Sequence, residues 1–260
     1  MKFIFKCLYM DLKRSFGTIG FLLAVVGVCV VYYSGAWNEI GFSQDILYLY
    51  KYSSEVSGFS TLITLFCVLP YTTGFCDDWN SQYIRPLFIR IGATRYGISK
   101  VIACALSSGT AVALGLILFI VSLMPWVTFV SKSAGNYEFF ATNTLGGVFL
   151  LNGQNGMYFA IYIYLAFLAA SFWSVFGLCA SAYIPNKYVA LCTPFIASYI
   201  LNFVTNRFPV WARLNKIIDG SCIIGGTLLS IFYATLLFSF LTIGVGAIFV
   251  KKAKRRIANV

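Results

Sequence analysis

Six apolar runs set the limits on what this chain can fold into, at 16–36, 56–75, 101–124, 157–184, 188–205 and 225–250. A helix of roughly 20 apolar residues crosses a hydrocarbon core of ~30 Å. None of the runs contains Asp, Glu, Lys or Arg, and no charge occurs anywhere between Phe139 and Asn186. Soluble domains are ~25% charged, whereas this chain is 10% charged and 60% hydrophobic, with a mean hydropathy of +0.83. No packing in water could cover that much apolar surface, so lipid must be the solvent for most of it. The expected fold is an all-α membrane protein, a single transmembrane domain over residues 1–260 with about six spanning helices.

The runs differ in character. The fourth and sixth are long enough to tilt or to begin outside the bilayer, and the fifth is short and carries Pro194. The first ends in Ser34-Gly35-Ala36, which resembles a signal-peptide cleavage site. Its apolar stretch exceeds the ~7–15 residues of a signal core, so it reads as a retained helix.

The basic residues orient the map. With the N-terminus inside, six spans return the C-terminus inside, and only Lys51, Lys132, Arg207, Arg213 and Lys216 of the 19 Lys and Arg fall outside. Asp11, Asp77 and Asp78 lie inside; Glu39, Asp45, Glu55, Glu138 and Asp219 lie outside. The whole net charge of +11 therefore sits on one face. That is the positive-inside pattern, with both termini cytoplasmic. An anionic inner leaflet accounts for the basic excess without nucleic acid. Residues 1–15 form an expected interfacial helix: Ile4, Leu8 and Leu12 line up, Phe5, Tyr9 and Phe16 stand beside them, and Lys2, Lys6 and Lys13 gather on another side.

Several chemistries are excluded. The chain has no His, which removes Ser-His and Cys-His nucleophiles and His-based metal sites. Its eight Cys form no C-x-x-C pair and lie mostly in apolar runs, where Cys behaves as a small hydrophobe. No catalytic constellation emerges and no metal site is expected.

The most informative segment is 76–100, an elbow between the second and third spans. Asp77 or Asp78 can cap a short helix, Pro86 can end it, Gly92 can turn the chain, and Thr94 can cap the next helix. Trp79, Tyr83, Ile84 and Arg85 are then presented toward the cytoplasm, and aromatic and Arg side chains are favoured interface anchors.

The amphipathic start, the six spans, the acid-bearing elbow and the Arg95…Lys100 spacing at the third span resemble the ABC-2 type transporter permeases. The specific part of the likeness is Asp77–Lys100, with Asp78 and Asn80-Ser81 where many members have Glu and Gly-Thr. The resemblance implies a permease subunit in a bacterial cell membrane, working as a homodimer or beside a second permease. Its elbow would dock as a coupling helix on a separate ATP-binding subunit. It further implies docking by Trp79, Asn80, Tyr83, Ile84 and Arg85, with Asp78, Arg90, Arg95 and Lys100 shaping the elbow.

Two further readings are independent of that likeness. The chain lacks a G-x-x-x-x-G-K-[ST] phosphate loop and has no charge inside any run to act as an ion relay. Energy, if used, must come from a partner, with ATP and Mg bound there and no cofactor in this chain. Thr61 and Thr64, with Ser198 and Asn202, are candidates for a mildly polar cargo pathway suited to a peptide, lipid or drug. Hydroxyls in spans also bond back to their own helix. Alternatives from other classes are a stand-alone immunity or binding protein, a passive channel and a lipid scramblase.

Overall fold

A computed structural model describes residues 2–41, 45–56, 59–82, 84, 86, 91–132 and 136–258. Among these the chain is helical, with no strand. In order, the helices are α1 (Lys2–Phe16), α2 (Ile19–Ala36), α3 (Ile46–Lys51), α4 (Ile63–Phe66), α5 (Gly74–Asn80) and α6 (Ala93–Leu123). They continue with α7 (Tyr137–Asn143), α8 (Gly147–Leu151), α9 (Asn155–Tyr183), α10 (Lys187–Thr205), α11 (Leu214–Ile218) and α12 (Thr227–Ala258). Five of them, α2, α6, α9, α10 and α12, are long and apolar enough to cross a membrane.

Burial sorts these five helices. In α6 and α9, 56% and 61% of the most apolar window is covered by protein, against 17% in both α10 and α12. The first two form the centre and the last two flank it. α9 packs along α6, α12 and α10, while α2 and α1 lie against α6. The uncovered faces are themselves apolar: Ile196, Tyr199, Ile200 and Phe203 on α10, and Leu228, Phe232, Phe240 and Ile243 on α12 are all exposed. Contiguous apolar surface of this extent is stable against lipid and costly against water. The chain is a multi-pass helical membrane protein.

The second apolar run departs from the expected continuous helix. Over 56–75 the backbone passes through a 3-10 turn (Phe59–Leu62), one turn of α-helix (α4) and a series of turns before α5 begins. Pro70 explains much of this, because it has no N–H and its ring clashes with the preceding turn. Bonds reaching back three residues, from the Leu69 N–H to the Phe66 carbonyl and from the Gly74 N–H to the Tyr71 carbonyl, carry the chain through. The Pro70 carbonyl accepts from the Thr18 hydroxyl. Hydropathy alone cannot detect such a break, since turns and helix bury the same side chains.

The third helix starts at Ala93, eight residues before the apolar run, so Tyr96, Ser99 and Lys100 belong to it. Gly92 precedes it with φ +84°, a conformation that favours glycine. Thr94 lies inside the first turn and does not cap it. Similarly, Asp77 lies in the first turn of α5 and Asp78 follows it, but neither is the cap, a position that Thr73 holds without a side-chain bond.

Close helix approach depends on small residues. A Cβ added at Gly115 of α6 would lie 2.7 Å from the Val28 Cβ and 2.8 Å from the Val25 carbonyl oxygen of α2. At Gly244 of α12 it would meet nothing within 4 Å. Gly115→Leu should force α2 and α6 apart at a cost of about 1–3 kcal/mol. Thermal unfolding of the purified protein should show a lowered midpoint for Gly115→Leu and none for Gly244→Leu.

Candidate functional site

Two polar sites occupy opposite ends of the helical core. The first joins the elbow to its neighbours. Asp11 and Ser15 lie on one face of α1 at the i, i+4 spacing, as do Tyr96 and Lys100 on α6. The Lys100 ammonium, 1% exposed, sits 2.8 Å from Asp78 Oδ2 and 3.1 Å from Asp11 Oδ1. It also donates to the Tyr71 hydroxyl at 2.6 Å. Arg14 donates to Asp78 Oδ1 at 2.8 Å, and the Tyr96 hydroxyl to Asp78 Oδ2 at 2.7 Å. The hydroxyls of Tyr71 and Ser99 donate to the two oxygens of Asp11 at 2.6 and 2.5 Å.

Two carboxylates and two cations thus cancel, with Lys100 and both acids buried and Arg14 half-exposed at the rim. Burial opposes ionisation of Asp78, but Lys100, Arg14 and Tyr96 outweigh it and hold the carboxyl below its ordinary range. One consequence is mechanical. α1, α5 and the start of α6 share these ion pairs, so none can shift far without uncovering an unpaired buried charge.

The expected elbow residues are placed unevenly. Asn80 and Arg95 are exposed. Trp79 is half-buried, stacked on Phe75 at 6.0 Å, with the Arg256 guanidinium 4.7 Å from its ring. Ile84 is 4% exposed and packs among Phe75, Tyr96 and Phe249, so in this conformation it offers no surface. Tyr83, Arg85 and Arg90 lie outside the described residues. Arg256 also donates to the carbonyls of Ala182 and Tyr183, placing a cation at the C-terminal end of α9. Asp77 pairs with Lys187 at 2.6 Å, at the start of α10.

The second site is a cleft of ≈ 110 Å³, room for several water molecules. Thr61, Thr64, Ser198 and Asn202 all lie on its wall, so the structure brings the four pathway candidates together. Thr64 donates to the Thr61 carbonyl and Ser198 to the Phe195 carbonyl, each three residues back. Tyr32, Tyr50, Tyr162 and Trp173 supply aromatic walls, and Asp219 stands at one end.

Sequence reasoning placed Lys51 in an outer loop; in the fold it is 2% exposed. Its ammonium donates to Glu55 at 2.9 Å and to the Asp219 carbonyl at 2.8 Å, and lies 4.1 Å from the centre of the Tyr162 ring. The i, i+4 spacing of Lys51 and Glu55 was the available signal. For Asp11 the signal was an acid set between Leu8 and Leu12 on an otherwise apolar side.

No protein-family model, curated protein or solved structure matches the chain. Fold and sites define a class, a multi-pass helical membrane protein that has, among its described residues, a buried ion network and a polar cleft.

Lys100→Met leaves Asp11 and Asp78 sharing one cation and should cost about 3–5 kcal/mol. Adding Asp11→Asn keeps the Asp78–Arg14 pair neutral and should recover part of that loss in thermal unfolding. The lowered Asp78 carboxyl contributes stability above the ordinary Asp value of ~3.9, and this is lost as pH falls through the folded value. Asp78→Asn should therefore flatten the acid limb of stability against pH.

Proposed function

We propose that the chain is the membrane subunit of an ABC-2 type exporter, driven by ATP hydrolysed on a separate subunit. The observation that carries this reading is the double tether of Asp78, to Arg14 of α1 and to Lys100 of α6. A push delivered to α5 passes through these pairs into a helix that runs the depth of the membrane. An elbow that served only as a turn would need no such connection. In this reading the broken segment 56–75 is the second of six crossings, both termini and the elbow face the cytoplasm, and α1 lies in the headgroup plane.

The exposed side chains of α1 suit that position. Phe5, Tyr9 and Phe16 turn outward at helical spacing, with Lys6 and Lys13 beside them. Asn80, Tyr83 and Arg85, with the edge of Trp79, are the docking candidates. The permease pairs with a second copy or a related chain, ATP and Mg reside on the partner, and the cargo is amphipathic. A stand-alone binding or immunity protein would use the cleft without a motor.

Affinity purification of the full chain from its native membrane decides between them. The exporter reading expects a phosphate-loop ATPase to co-purify, and Tyr83→Ala with Arg85→Ala to reduce its recovery at least tenfold while unfolding is unchanged. A pure, stable chain with no ATPase, and full function in that double variant, would sink it.

A further inference from the structure

We propose that the cleft is a binding site for an organic cation, a protonated or quaternary amine carried on an apolar or aromatic body. As the cargo of an exporter this ligand rests on the transport reading; its binding does not.

The charged and aromatic features of the wall point to the same sign of charge, while the Asn202 and Asn215 amides can serve either. The buried ammonium nearby, Lys51, is already engaged by Glu55 and by the Asp219 carbonyl. The Asp219 carboxylate lines the cleft, and among the described residues no hydrogen bond or ion pair engages it. Thr64 and Ser198 direct their hydroxyl protons back to their own backbone, so what they offer the cleft is lone pairs. The π-faces of Tyr and Trp attract cations and repel anions. The fold already holds one cation in this manner, Lys51 over Tyr162. The remaining wall, with Ile63, Val112, Ala166, Ala169 and Ala170, suits an apolar body.

The groups around Asp219 make this site sensitive to pH. Glu55 is close enough for its charge to act on it, Lys51 lies beside its carbonyl, and Lys216 is on α11, which Asp219 ends; Tyr32, Tyr50 and Tyr162 line the cleft from α2, α3 and α9. Burial and the Glu55 charge push the Asp219 carboxyl up to about 7, against the two lysines. A cation selects the ionised form, so its affinity should rise with pH and its binding should release a proton. No His is present to confuse titration near neutrality.

The test uses the purified full chain in lipid nanodiscs, without any ATPase. The probes are phenyltrimethylammonium and its uncharged isostere tert-butylbenzene, read by calorimetry and by quenching of tryptophan emission. The cation should bind at least tenfold more tightly than the isostere. Its affinity should rise about tenfold between pH 6 and pH 8, as the ionised fraction of a group titrating near 7 does. Asp219→Asn should weaken binding at least tenfold and abolish the pH dependence, while Glu138→Gln, at an exposed acid, should change neither. Equal binding of the two probes, or a flat pH profile in the unaltered chain, overturns the proposal. Those two measurements need no variant, so they decide even if Asp219→Asn fails to fold. They also leave the ATPase question open, which makes failure of this site distinct from failure of the exporter reading.

Discussion

Lys100 carries its charge into a site that water scarcely reaches, and the elbow end of the molecule is organised around neutralising it. A lone buried ammonium costs several kcal/mol even after relaxation. Asp78 and Asp11 offset that cost, but two carboxylates need a second cation, which Arg14 supplies. The hydroxyls of Tyr71, Tyr96 and Ser99 complete the hydrogen bonding of both carboxylates. Because the four charges come from α1, α5 and α6, charge balance doubles as tertiary structure. The packing of Phe75, Ile84, Tyr96 and Phe249 around the network then excludes the water that would weaken it.

The other end uses similar chemistry with a different outcome. Lys51, the last residue of α3, is buried against Tyr162 and tied to Glu55 and the Asp219 carbonyl, but here the Asp219 carboxylate has no ion pair of its own among the described residues. An unbalanced cluster beside a cleft favours a ligand of the missing sign, whereas the balanced cluster favours only a fixed geometry. Between the two ends, α6 and α9 pack against each other through two apolar clusters, with the buried hydroxyls of Ser171 and Ser174 bonded to α6 carbonyls between them. The bond network at the elbow and the cleft are therefore connected by the two most buried of the five long apolar helices.

Hydropathy located the apolar helices well, because lipid selects for apolar side chains whatever the tertiary contacts. It could not reveal that 59–73 is a string of short turns, since Pro70 interrupts the backbone without lowering hydrophobicity. The helical spacing of Thr61 with Thr64, and of Ser198 with Asn202, made one polar face legible on each segment. That the two faces meet depends on how α10 packs. The ion network was hidden for a similar reason: Asp11 and Lys100 are 89 positions apart, and basic residues near spans already have an explanation in the positive-inside rule. Reading Lys100 through that rule therefore concealed its part in the buried network.

Amide hydrogen exchange compares the unaltered chain with Lys100→Met most directly, with Lys254→Met as an exposed control. If the shared ion pairs hold α1, α5 and the start of α6 as one unit, peptides covering 2–16, 74–82 and 93–103 should all gain exchange together in Lys100→Met. The rest of the bundle and the control should stay unchanged. Faster exchange confined to 93–103, with α1 and α5 as protected as before, would contradict the claim that this charge binds the three elements together.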